Sequence, residues 1–225
     1  APIPIAQRRR RIGVPERLDF EGKVVIPLDE ESVRRAARRL AKLNTESIAV
    51  SLLFSFLNPR HELRVREILH EELPGVRVSL SHEVMPSAPE FERTSTTLVE
   101  AFIGPKLEKY LTRLEVTLRE NGYAHKLLIM QSNGGIMTTN GLSKRAVATF
   151  SSGPTAGVMA ACEVAERTAG QIEFGRKPAG HQVKPSFVAV DMGGTSYEAC
   201  LIQDGQPDIS SFWNWRHRYL VGLPM

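Results

Sequence analysis

Apolar residues in this chain fall into two kinds of run: some recur at helical spacing, others are continuous. Between Asp29 and Leu43, the residues Val33, Ala36, Ala37, Leu40 and Leu43 share one helical stripe, and Arg34, Arg35, Arg38 and Arg39 lie mostly off it. This pattern predicts an amphipathic helix with its arginines in water. Lys23 to Ile26 reads as a short strand before it, closed by Pro27. Ser47 to Phe54 reads as a strongly apolar strand after it. Asn58-Pro59 then offers a cap followed by proline at the first helical position. That helix runs to about Leu73, where Pro74-Gly75 stops it, and Val76 to Leu80 forms a third strand. The β-α-β-α-β order predicts an α/β fold with a sheet at least partly parallel.

Further along, Ser81 to Pro89 reads as a loop. Thr94 or Ser95 caps a helix that reaches Asn121-Gly122, with a break expected at Gly104-Pro105. His125 to Met130 is a fourth strand and enters the loop Gln131 to Gly135. Ser151-Ser-Gly-Pro154 starts another helix, whose Ala156, Gly157, Ala160 and Ala161 permit close packing on a sheet. Gln171 to Lys184 resembles a polar surface insertion. Phe187 to Val190 is apolar without alternation, which suits a central strand covered on both faces.

Candidate chemistry gathers where that last strand ends. Asp191 sits where the strand leaves the sheet, and Gly193, Gly194, Thr195 and Ser196 follow. Glycines let main-chain amides turn toward an anion, hydroxyls add donors, and a carboxylate suits Mg²⁺ with its retained waters. A Walker-type loop would enter a helix and carry a lysine; here Glu198 to Gln203 is too short for one before the Asp204-Gly205 turn. The order is therefore strand, phosphate turn, strand. A plain hairpin with a glycine turn explains the same residues. Gln131, Ser132 and Asn133 end a strand and could bond a polar heterocycle or carbonyl, or simply build a turn. Glu90, Glu92 and Arg93 suit a substrate or closure contact, or a capping and ion-pair cluster.

Composition narrows the field modestly. The chain has 225 residues, 42% hydrophobic and 24% charged, ordinary values for a globular protein. It has no apolar run of membrane-spanning length and no secretory h-region at its start. Cys162 and Cys200 form neither a metal motif nor a disulfide framework and suit buried free thiols in a reducing compartment. The net charge is +4, and the run Arg8 to Arg11 lacks interleaved aromatics, so nucleic-acid binding is not expected. The histidines have no metal spacing; His61 and His82 suit structural roles.

Several phrases together match one family. They are Ser55-Phe-Leu-Asn-Pro-Arg-His-Glu62, the stretch from Ser81-His-Glu-Val-Met-Pro86 through Glu90-Phe-Glu-Arg-Thr-Ser-Thr-Thr97, Met130-Gln-Ser-Asn-Gly-Gly135, Ser152-Gly-Pro-Thr-Ala-Gly-Val158 and Asp191-Met-Gly-Gly-Thr-Ser196. On these residues the chain resembles the hydantoinase A/5-oxoprolinase family, which includes subunits of ATP-dependent ketone carboxylases. The resemblance implies an incomplete actin-like ATPase (ribonuclease H-like) α/β fold, a mixed sheet flanked by helices. Residues 1–90 would belong to the N-terminal region of the family, and 91–225 would begin its core domain.

The resemblance also implies ATP and Mg²⁺ as cofactors, with Asp191 as catalytic and metal-holding residue and Gly193, Gly194, Thr195 and Ser196 around the phosphates. Gln131, Asn133 and Arg93 are weaker substrate candidates. The substrate would be a cyclic amide opened by hydrolysis, or a ketone to be carboxylated. A hydantoinase B-like partner subunit or a homo-oligomer is expected, in the cytoplasm, without membrane or nucleic acid. Two departures stand out. An earlier Asp-x-Gly-Gly-Thr loop and a later glycine-rich segment are missing, which suggests an internal fragment with weak or no ATP binding of its own. Tyr197-Glu198 and the tail from Trp213 to Tyr219 look more like the carboxylase branch, though the aromatic tail equally suits a packing or subunit-contact surface. A non-catalytic structural or subunit-binding module is the third possibility.

Overall fold

The computed structural model describes residues 4–142, 145–168, 186–194, 197–210, 213–215 and 219–221. In chain order the elements are β1 (Arg17–Leu18), β2 (Val24–Ile26), α1 (Glu30–Ala41), β3 (Ser47–Val50), α2 (Arg60–Glu72), β4 (Arg77–Leu80), α3 (Ser81–Val84) and α4 (Glu90–Glu120). There follow β5 (Leu128–Met130), β6 (Ile136–Thr138), α5 (Thr139–Leu142), α6 (Ser152–Thr168), β7 (Phe187–Met192), β8 (Tyr197–Gln203), β9 (Gln206–Pro207), β10 (Trp213–Trp215) and β11 (Tyr219–Val221). They form two compact units. The first comprises Ala1–His125, Thr139–Val147 and Phe212–Leu223; the second comprises Lys126–Thr138, Ala148–Ser211 and Pro224–Met225.

In the first unit Asp29 caps α1, its carboxylate accepting from the Ser32 amide at 3.0 Å. The stripe read from the sequence is buried as Val33, Ala37 and Leu40, packed with Ile48, Val50, Val65, Ile68, Leu69 and Leu80. β3 and β4 pair in parallel, from Ser47↔Arg77 to Val50↔Leu80, so the expected parallel element is present. The α1 arginines do more than face water. Arg34 reaches Glu71 at 2.7 Å and Glu72 at 3.1 Å, and Arg38 reaches Glu72 at 3.3 Å, so both tie α1 to α2. The apolar run after β3 does not extend to Phe54 as one strand. It turns at Phe54, whose φ is +57°, and Leu57 and Asn58 donate back to the Phe54 carbonyl. The Ser81–Pro89 stretch, expected as loop throughout, begins with the single turn α3.

Helix α4 corrects a second expectation. It runs 31 residues without a break at Gly104-Pro105. A proline inside a helix deprives the carbonyl four residues earlier of its donor. Here that carbonyl belongs to Ala101, and the Ser47 hydroxyl donates to it at 2.5 Å. β3 thus supplies the bond that the helix lacks. Gly104 serves a different contact: a Cβ there would stand 2.6 Å from Arg77 Nε. The bare backbone lets Arg77 lie across α4 and reach Glu100 at 2.8 Å and Glu108 at 3.0 Å.

In the second unit β5 and β6 form an antiparallel hairpin, and β7, β8 and β9 form an antiparallel sheet in that order. Asp204 and Gly205 turn β8 into β9 with φ of +50° and +74°, as the Asp-Gly pair predicts. β7 is not covered on both faces. Phe187, Ala189 and Asp191 are buried or half-buried, whereas Val188, Val190 and Met192 are exposed. Of the small residues of α6, Ala161 packs on this sheet with Val158 and Cys162, while Ala160 is exposed. Both cysteines are free. Among the described residues no helix is long and apolar enough to cross a membrane.

Replacing Ser47 by Ala is expected to leave the Ala101 carbonyl without its donor, costing about 1–2 kcal/mol. Urea unfolding at neutral pH measures it; an unchanged midpoint would show that Pro105 needs no such support.

Candidate functional site

In the second unit, α6 carries two loops on different sides of its first turns. Ser151, immediately before it, has φ of +58°, a conformation seldom adopted by a residue with a side chain. On one side the Thr155 hydroxyl donates to the Ser132 carbonyl at 3.0 Å. A turn further on, Met159 lies against Gly134: a Cβ at Gly134 would be 3.1 Å from its sulfur, and Gly134 has φ of +80°. Glycine is favoured there by the conformation, and a side chain would press on Met159. The loop is closed by Gln131 N to the Gly135 carbonyl at 2.8 Å and by Gly135 N to Asn133 Oδ1 at 3.0 Å. Ser132 is buried, Gln131 half-buried and Asn133 exposed. Asn133 therefore builds the turn with its own amide oxygen.

On the other side of α6 lies the end of β7. A Cβ at Gly157 would be 3.6 Å from Asp191 Oδ2, so the carboxylate faces the second helical turn. Asp191 is half-buried, while Gly193 and Gly194 are exposed and a Cβ at Gly194 would meet nothing within 4 Å. The turn is open to solvent rather than packed against apolar neighbours. Asp191 pairs across the hairpin with Glu198, so two acidic side chains stand directly opposite on the face that meets α6. Thr195 and Ser196 lie outside the described residues. No group of three or more metal-capable side chains occurs among the described residues.

The first unit holds a polar network around Arg93 and His82 whose centre, Glu62 with Ser81, the sequence patterns did not single out. Glu62 is fully buried. It accepts from the Leu52 amide at 2.9 Å, the Ser81 hydroxyl at 2.6 Å, the His82 amide at 3.2 Å and His82 Nδ1 at 2.7 Å. Ser81 Oγ in turn lies 3.0 Å from Ser55 Oγ and accepts from Arg93 Nε at 3.2 Å. Arg93, also buried, donates to the carbonyls of Ser87 at 2.7 Å and Leu52 at 3.1 Å, and its guanidinium lies 5.2 Å from the Phe56 ring centre. Burial holds Arg93 below the ordinary arginine pKa, with Glu62 and Glu90 opposing that shift. His61 Nδ1 lies 2.7 Å from Glu16, both nearly buried, so the two histidines have the structural partners expected of them. Ser55, Glu62, Ser81, His82 and Arg93 all come from the two N-terminal phrases quoted above. The density of polar residues in those phrases was the available signal.

Burial raises the Glu62 pKa, but the bonds from His82, Ser81 and Leu52 outweigh it, and the carboxyl sits below its ordinary 4.5. A carboxyl depressed on folding contributes stability that is present above its unfolded pKa and lost as pH falls through the folded one. Stability is therefore expected to fall on acidification below 4.5, and Glu62→Gln should flatten that slope. The same variant should cost about 3 kcal/mol at neutral pH, because Arg93 loses the buried countercharge. Urea midpoints across the acid range read both effects; parallel curves for the two proteins would refute the assignment.

The comparisons agree with these motifs. A family model described as hydantoinase/oxoprolinase matches residues 93–225, and one described as the hydantoinase/oxoprolinase N-terminal region matches residues 3–73. The chain belongs to the hydantoinase/oxoprolinase family. It is 34% identical over 229 residues to the acetophenone carboxylase gamma subunit of Aromatoleum aromaticum, covering 100% of this chain and 29% of that protein. Among solved structures it is similar to nucleotide-free acetone carboxylase, with a TM-score of 0.84, 31% identity, and coverage of 100% of this chain and 30% of that one. It is also similar to the ATP-dependent caprolactamase of Pseudomonas jessenii, with a TM-score of 0.78, 32% identity, and coverage of 94% and 28%. The fold is thus a mixed α/β fold of that type, and the chain spans less than a third of the length of each of these relatives.

Proposed function

We propose that this chain contributes the phosphate-binding corner of an ATP-dependent enzyme that activates a cyclic amide for ring-opening hydrolysis. The observation that carries this is the open Gly193-Gly194 turn beside Asp191, with the carboxylate set against α6. We assign the fold to the actin-like ATPase type, with 1–90 and 91–225 as its N-terminal region and the start of its core domain. The cross-strand pair Asp191 and Glu198 supports a Mg²⁺ site, since two like charges directly opposite are unfavourable without a cation. Mg²⁺ needs few protein oxygens because it keeps several waters, so Asp191 as the holding group fits this donor set. When bound, ATP would supply the phosphoryl group that activates a substrate oxygen.

This chain's own part is positioning and charge stabilisation, which dominate phosphoryl transfer. The amides of Gly193 and Gly194, with Thr195 and Ser196, would face the phosphates. Gln131 and Asn133 would offer amide groups to the substrate from the other loop on α6. Arg93 we assign to the frame, because its donors are turned onto Leu52, Ser81, Ser87 and Ala88. We further propose a cytoplasmic enzyme working with a partner subunit or a second copy; a relative at 34% identity is itself named a subunit.

A second reading is carboxylation of a ketone. It is favoured by that named similarity and by Tyr197-Glu198 after the phosphate turn. Calorimetric titration of Mg·ATP into a polypeptide of the relatives' length should show Asp191→Ala weakening binding at least about tenfold, roughly 1.4 kcal/mol. Equal affinities would remove Asp191 from the nucleotide site. ATP turnover with hydantoins, 5-oxoproline or a lactam, set against a ketone plus bicarbonate, chooses the substrate class.

A further inference from the structure

Cys162 and Cys200 are distant in sequence, and the fold brings them to one level of the second unit. Helix α6 lies along the β7–β8 hairpin in a definite register. At one point a Cβ on Gly157 would be 3.6 Å from Asp191 Oδ2. Five residues further along α6, about 7.5 Å of helix, comes Cys162. Two residues back along β7, about 7 Å of strand, comes Ala189, and Cys162 is buried in one cluster with it. Ala189 pairs across the hairpin with Cys200. Cys200 alternates with the exposed Ala199 and Leu201, so it shares with buried Ile202 the face that meets α6. The two cysteines therefore stand on facing elements beside the same residue. Burial first, and then the neighbouring Cys200 thiol, push the Cys162 thiol up. A disulfide spans Cα atoms about 4.4–6.8 Å apart. Small side chains let a helix and a sheet approach that closely, and Ala161 and Ala189 lie in this layer.

The geometry points to an oxidisable pair: Cys162 and Cys200, both free thiols here, form a reversible disulfide that ties α6 to β8. In a reducing compartment a bond of this kind is transient and reports the redox state. The oxidant is a small disulfide, glutathione disulfide. Cys162 is 8% exposed and Cys200 is half-buried, so Cys200 meets the oxidant first. Cys200 loses its proton, its sulfur attacks one sulfur of the oxidant, and one glutathione thiolate leaves and is protonated. Cys162, deprotonated in turn, attacks Cys200 Sγ and displaces the second glutathione. Two protein thiols are oxidised, and one small disulfide is reduced to two thiols. The tie joins two elements that carry candidate residues. α6 holds the Gln131–Gly135 loop through Thr155 and Met159, and β8 carries Glu198, opposite Asp191 and two residues from Cys200. The inference stands on thiol placement alone and survives if the turn binds no nucleotide.

Glutathione titration of the 225-residue chain tests it. The chain is equilibrated with mixtures of glutathione and its disulfide, natively and in urea, then acid-quenched and mapped by peptide mass spectrometry. The expected product is an intramolecular Cys162–Cys200 link, reversed by dithiothreitol. Its equilibrium constant should be at least about tenfold larger in the native chain than in urea. Equal constants overturn the proposal, because the fold then does nothing to place the pair. So do two separate glutathione adducts, links between chains, or unreacted thiols. Cys162→Ala should stop at a glutathione adduct on Cys200; rapid return of that variant to the free thiol pattern of untreated protein, under the same mixture, counts against the order of attack and overturns it. Hydrogen exchange reads the tie in the unsubstituted chain. Amides of β7 and β8 should exchange at least about tenfold more slowly once the link has formed, and unchanged rates overturn the tie.

Discussion

The irregular segments between β3 and α4 depend on one buried carboxylate. Glu62 sits on α2 with no exposed surface, and an isolated charge in such a place is costly. Its four donors come from the loop after β3 and from the start of α3, so satisfying the charge fixes both segments against α2. Ser81 extends the arrangement, since its hydroxyl donates to Glu62 and accepts from Arg93. Arg93 then holds the Ser87 and Ala88 carbonyls that lead into α4. A buried anion and a buried cation thus share one hydroxyl, and the irregular chain around them follows from where their hydrogen bonds must go. Removing either charge exposes the full desolvation cost of the other.

Among the described residues the second unit has no comparable buried charge, and it is organised by α6. Thr155 and Met159 hold the Gln131–Gly135 loop, and Val158, Ala161 and Cys162 pack on the sheet. Gly157, beside Asp191, leaves the carboxylate room where any other residue would place a Cβ at contact distance. Two loops quoted as separate motifs therefore share one rigid support. That support is why we keep Gln131 and Asn133 as candidates alongside Asp191.

Local rules recovered the elements well where one physical cause acted alone. The α1 stripe, its Asp29 cap, the parallel pairing of β3 and β4 and the Asp204-Gly205 turn each follow from a few neighbouring residues. Expectations failed where a distant residue supplied the missing bond. Gly104-Pro105 reads as a break until Ser47, far away in sequence, satisfies Ala101. The α1 arginines read as solvated until Glu71 and Glu72 of α2 lie beside them. The motifs made the family legible, but sequence gave no way to separate Arg93, buried in the frame, from Asp191, set at an open turn. Both are charged residues in matching phrases, and only burial and bonding partners tell them apart.

Phe187 to Val190 is instructive for another reason. Its lack of alternation led to the expectation of cover on both faces, and the structure covers one. β8 repeats the pattern, with Tyr197, Ala199 and Leu201 on the open side. The same hairpin ends in the Gly193-Gly194 turn, which is open to water. Phosphoryl transfer gains most where water is excluded and charges are fixed.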